Sequence, residues 1–108
     1  MTIDPYLAER RALVDAVTQG RGSLTPEIRG GVVDRGAGRP VAGPIPRALA
    51  GFVDQISRDA TGISDGDVAA LTAAGFDDEA VFEAIVAAAL GASLARLERV
   101  DELFTDGA

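Results

Sequence analysis

The sequence predicts a single all-α domain, a small helical bundle closed by a long C-terminal helix. Three observations predict it. Leu49, Phe52, Val53, Ile56 and Ala60 stand at i, i+3, i+4, i+7 and i+11, the spacing of one helix face. Two helix starts follow, each with an apolar pair bracketing a polar cap: Ile63 and Val68 around Ser64, then Phe76 and Val81 around Asp77. The stretch 78–104 is then apolar and Ala-rich, and Ala is the best helix former. The 108 residues fit one domain, since domains cluster near ~100–150 residues. Within 1–108, residues 19–47 read as a Gly/Pro/Arg-rich loop or arm and 46–104 as the helical core.

Taken in order, Asp4 as N-cap and Pro5 at the first helical position open a helix over 5–18, with Leu7, Leu13, Val14 and Val17 near one face. Residues 19–47 hold 7 of the 13 Gly and 4 of the 5 Pro, so most of this stretch is expected to be loop. A short helical turn is expected after Thr25-Pro26, anchored by Ile28, Val32 and Val33, and residues 36–44 read as extended. The helix of 46–60 stops at Gly62. Ser64 with Asp67 makes a capping box for a helix running to about residue 74, which Gly75 closes. The last helix spans 78–104. Its small residues Ala84, Ala88, Ala92 and Ala95 form a stripe that another helix can approach closely, and this stripe with Phe82 is the expected interface.

Leu, Ile, Val and Phe supply 29 residues, about 27%, above the roughly 20% level that marks disorder. The sequence contains no Cys, His, Lys, Trp or Asn. This excludes disulfides, thiol nucleophiles, CxxC redox pairs, Ser-His-Asp triads, imidazole zinc sites and Schiff bases. Chemistry is left to 11 Asp, 6 Glu, 10 Arg, one Tyr and a few hydroxyls. No cofactor and no metal is expected.

Charge is uneven. Residues 1–47 carry net +2 and residues 48–108 net −9. The asymmetry suggests that the N-terminal segment lies against an acidic C-terminal surface, its own or a neighbour's. A net-acidic chain without basic–aromatic interleaving is a poor nucleic-acid binder. Residues 65–86 do have helix–turn–helix spacing, but the second helix begins Asp77-Asp78-Glu79 and carries Glu83, and four carboxylates would face phosphates. The longest uncharged stretch of the C-terminal half, 84–95, is 12 residues, short of the ~18 needed to span a bilayer. The N-terminus lacks the basic and apolar regions of a signal peptide. The reading is a cytoplasmic protein with no membrane and no nucleic-acid partner.

Two sets of side chains are candidates for a site. Arg35 and Arg39 flank the Gly-rich stretch 36–43 and could hold an anion, although the spacing matches no phosphate-loop pattern. Glu83 lies in a largely apolar helix and is the carboxylate best placed for acid–base work. Arg58, ending the preceding long helix, could face it and bind a substrate anion. Asp65 and Asp67 sit at a helix N-terminus, which suits capping better than catalysis.

The segment 63–103 carries three motifs: DGDVAAL, AAGFDDEAVFEAI and AALGASLARL. Together they resemble the C-terminal helices of the AhpD-like/carboxymuconolactone decarboxylase family over about 40 residues. The helix 46–60 and the turn at 24–29 match more loosely. The resemblance implies an all-α fold that packs into homo-oligomers with sites near subunit interfaces. The family's CxxC-plus-His redox relay and its His-based acid–base site cannot be carried over, because this chain has neither residue. The expectation is therefore a non-redox member, a homo-oligomeric or companion subunit that binds a partner protein or small molecule. The alternative is a small lyase- or isomerase-type enzyme using Glu83 and Arg58 on an acidic substrate.

Overall fold

The computed structural model describes residues 6–106. The expected Asp4 cap and Pro5 start lie outside the described residues. Among those described there are five α-helices and no strand: α1 (Leu7–Gln19), α2 (Pro26–Gly36), α3 (Arg47–Arg58), α4 (Asp65–Ala73) and α5 (Asp78–Asp106), with a 3-10 turn at Ala60–Gly62. The all-α expectation holds.

From α3 onward the local signals act as expected, except that α3 ends at Arg58 and Ala60, expected on its apolar face, is exposed in the 3-10 turn that Asp59 caps. The Asp67 amide donates to the Ser64 hydroxyl (3.2 Å) and the Ser64 amide donates to the Asp67 carboxylate (2.9 Å), closing the capping box of α4. Gly75, at φ +100°, ends α4: its amide donates to the Thr72 carbonyl and the Phe76 amide to the Leu71 carbonyl, the paired bonds of a Schellman turn. Asp77 then accepts from the Ala80 amide (2.7 Å) and starts α5. The apolar stripe of α3 is buried through Leu49, Phe52, Val53 and Ile56.

The region 19–47 departs from the expectation. α2 is a full 11-residue helix, and it is the element most closely packed on α5. Thr25 caps it by accepting from the Ile28 amide (3.2 Å), with Pro26 at N1. Val32 and Val33 are buried at the centre of the core. Two of its glycines, Gly31 and Gly36, serve contact rather than flexibility. A Cβ on Gly36 would sit 2.7 Å from the Ala88 carbonyl oxygen, and one on Gly91 would overlap the Val33 carbonyl. The two backbones thus meet at a point where no side chain fits. Gly38, at φ +73°, closes α2 with a second Schellman turn, through Gly38 to Arg35 and Arg39 to Asp34 backbone bonds. The following extended segment lays Val41 and Ile45 against Gly31.

α1 also differs in detail. Val14 and Val17 pack on the core, but Leu7 and Leu13 are exposed. The charge asymmetry finds its partner within the chain. Arg10–Asp101, Arg29–Glu83, Arg35–Asp54 and Arg39–Glu98 each join an arginine of the first 47 residues to a carboxylate of the remainder. α5 spans about 43 Å at 1.5 Å per residue, and the molecule measures 50 × 28 × 21 Å.

Candidate functional site

Glu83 and Arg58 are not brought together. Thirteen residues of helix, about 20 Å, separate Glu83 from Arg96, the α5 residue that shares a groove with Arg58. Glu83 instead holds the loop between α1 and α2. Its two carboxylate oxygens accept from the Ser23 amide (2.8 Å) and the Leu24 amide (3.0 Å). Gly22 leaves room for that carboxylate, which a Cβ at this position would displace. Arg29, missed in the sequence, completes the cluster: its guanidinium is buried, donates to the carbonyls of Leu24 (3.1 Å) and Val17 (3.0 Å), and lies 3.8 Å from Glu83. A carboxylate with both oxygens committed to main-chain donors is a clamp for the loop, with little freedom left to take a proton from a substrate.

The small stripe of α5 also has an internal use. Ala84 and Ala88 are fully buried, so they serve the packing of α5 within its own chain rather than an open surface, and Ala92 is nearly buried at the edge of that packing. Ala95 is half-buried and Phe82 is exposed.

What the fold does assemble is a groove at the ends of α2 and α3. Both helices finish beside the second half of α5, which brings Arg35, Arg58, Arg96 and Arg99 around a cavity of about 270 Å³. Ala92 and Ala95 line the same space, and their short side chains leave it open. Arg35 forks onto Asp54 through two 2.8 Å hydrogen bonds. The paired hydrogen bonds and charge of Asp54 raise the Arg35 pKa, and the same bonds hold the Asp54 carboxyl below its ordinary value, with Arg58 adding a smaller pull. Among the described residues, the guanidinium groups of Arg58, Arg96 and Arg99 have no ion-pair partner. Of the expected anion pair, Arg35 therefore reaches this groove. Arg39 does not: it turns to Glu98, beside a separate cavity lined by α1. Arg96 and Arg99 were legible as an i, i+3 pair on one helix face, but nothing local says which helix ends meet them.

The last three turns of α5 run past the bundle. Leu97 (42%), Val100 (45%), Leu103 (74%) and Phe104 (79%) keep these fractions of their surface exposed. By length and composition alone, Asp78–Phe104 could cross a membrane. The core helix of a soluble bundle meets the same test, and the first half of α5 is built into the core through Val81, Ala84, Ala87 and Ala88. No family model, curated protein or solved structure matches the chain.

Proposed function

We propose that the chain is a non-catalytic assembly subunit, a non-redox protein of AhpD-like type that pairs with a second copy of itself through the projecting end of α5. The observation that carries this reading is the uncovered set Leu97, Val100, Leu103 and Phe104. Leu97, Val100 and Phe104 repeat at i, i+3 and i+7, the spacing of a helix seam. Soluble monomers rarely leave contiguous large apolar side chains in water, and such faces mark interaction sites. The face continues onto α1, whose start is tied to this end of α5 by the Arg10–Asp101 pair and which exposes Leu7 and Leu13. A second copy is the favoured occupant because the two helices carry unmatched charges of both signs. Arg11 on α1 and Glu102 on α5 have no ion-pair partner among the described residues, and a two-fold interface can match one with the other. The same reading makes the protein a soluble cytoplasmic one, with α5 spent on assembly.

Light scattering after size exclusion, over a concentration series, tests this. The expected result is a dimer or a higher closed oligomer. Leu103→Glu with Phe104→Glu shifts it to monomer while circular dichroism holds, because both side chains lie outside the core. A wild-type monomer at every concentration overturns the reading.

A further inference from the structure

We infer that the groove between the ends of α2 and α3 and the second half of α5 is a binding site for a small phosphate-bearing anion. The charges around it are lopsided. Arg35, Arg58, Arg96 and Arg99 face one cavity, and Asp54, already forked onto Arg35, is the carboxylate they share. Among the described residues, Arg58, Arg96 and Arg99 form no ion pair, in a chain of net charge −7 where carboxylates are plentiful.

Helix ends account for part of this but not all. The C-termini of α2 and α3 carry partial negative charge, which favours Arg35 and Arg58 in their last turns. That effect fades within a turn, and Arg96 and Arg99 stand well before the end of α5. They lie at i, i+3 on one face, where like charges repel. Folding thus gathers four arginines around one cavity, and among the described residues only Arg35 has an ion-pair partner there.

The shape selects the kind of anion. Guanidinium forks bind tetrahedral oxyanions through paired N–H donors. A cavity of about 270 Å³ lies just below the ~300–1,000 Å³ usual for ligand sites, room for a phosphate and a small organic body. Long polyanions are disfavoured, because the rest of the surface is acidic and repels them. The short side chains of Ala92 and Ala95 keep the space free, so the groove can be closed by substitution without removing a charge.

Titration of the full chain with inorganic phosphate and with O-phosphoserine, followed by calorimetry and by the thermal midpoint, tests the site. Sodium chloride at matched ionic strength is the blank. Both probes are expected to bind saturably and to raise the midpoint, and the tighter of the two shows whether the organic body is also read. Arg58→Gln, Arg96→Gln and Arg99→Gln are each expected to weaken binding several-fold, and the triple variant to abolish it. Ala95→Leu is expected to do the same with every arginine in place. Arg47→Gln, an exposed arginine outside the groove, is expected to bind as wild type. These variants alter exposed or half-buried positions, and unchanged circular dichroism confirms their fold. No saturable effect beyond chloride, or equal binding by the triple variant, means an adventitious ion only and overturns the site. Oligomeric state is read independently, so failure here leaves the assembly reading standing, and the reverse.

Discussion

Arg29 and Glu83 meet at 3.8 Å across the loop that joins α1 to α2, and each binds that loop's backbone as well as the other. Arg29 satisfies carbonyls and Glu83 satisfies amides, so the pair substitutes for the secondary structure that the loop lacks. Removing Glu83 strands the part-buried Leu24 amide and a buried cation, and leaves the exposed Ser23 amide to water. Glu83→Ala is expected to destabilise by about 2–3 kcal/mol, from unsatisfied groups at ~1–3 kcal/mol and a partly solvated charge pair. Glu83→Gln, which retains one acceptor oxygen, should cost less. Urea denaturation of the three proteins checks the order.

The glycines divide into two classes that a substitution series can separate. Gly36 and Gly91 stand where α2 and α5 touch backbone to backbone, so Ala at either forces the helices apart. Overpacking of this kind costs about 1–3 kcal/mol or more. Gly30 in α2 and Gly51 in α3 face open space. There Ala fits, and the gain in helix propensity should stabilise by about 0.5–1 kcal/mol. Thermal midpoints should therefore move in opposite directions for chemically identical changes.

Gly75 separates conformation from space in the same way. A methyl group at this position would meet no atom within 4 Å, yet φ is +100°. Gly75→Ala is expected to cost about 1–2 kcal/mol from left-handed strain alone. Gly75→Asn, a residue that tolerates this region better, should recover part of it in the same assay.

These glycines also explain which parts of the fold were legible. Ser64, Asp67, Gly75 and Asp77 act within a few residues of themselves, so α4 and the start of α5 could be read directly. α2 could not, because Gly30-Gly31 and Gly36-Ala37-Gly38 are breakers by propensity. The penalty for Gly inside a helix is about 1 kcal/mol each. Tertiary packing overrides it, since only Gly lets α2 close on Ala88 and Gly91. Thr25-Pro26 marked the start of that helix but not its length. The partners of Glu83 were hidden for a different reason. Ser23, Leu24 and Arg29 are more than fifty positions away and are brought in by a loop whose path no local signal sets. The site was half legible likewise: Arg35 and Arg58 were singled out as anion ligands, one with Arg39 and one with Glu83. Their actual neighbours are Arg96 and Arg99.

Acid sensitivity follows from carboxylates held below their ordinary value of 3.8. Hydrogen bonds from Arg35 lower Asp54. The Thr61 hydroxyl and then its amide lower Asp59, while the Ser64 amide, its hydroxyl and Gln55 lower Asp67. A depressed folded-state pKa means the unfolded chain takes up protons first as pH falls. The stability these groups supply is therefore complete above the ordinary carboxylate range and disappears as pH drops through their folded values. Asp67→Asn weakens the capping box at neutral pH and should flatten the fall in stability below about pH 4. Asp54→Asn should flatten it as well, by an amount that water screening limits, since the Arg35–Asp54 pair is about 40% exposed. Arg35, with its pKa raised, stays charged throughout and adds no pH dependence of its own in this window. Chemical denaturation of wild type and both variants between pH 2 and 7 measures the slopes. Parallel profiles for wild type and Asp67→Asn would show that the capping carboxylate is not what acid removes.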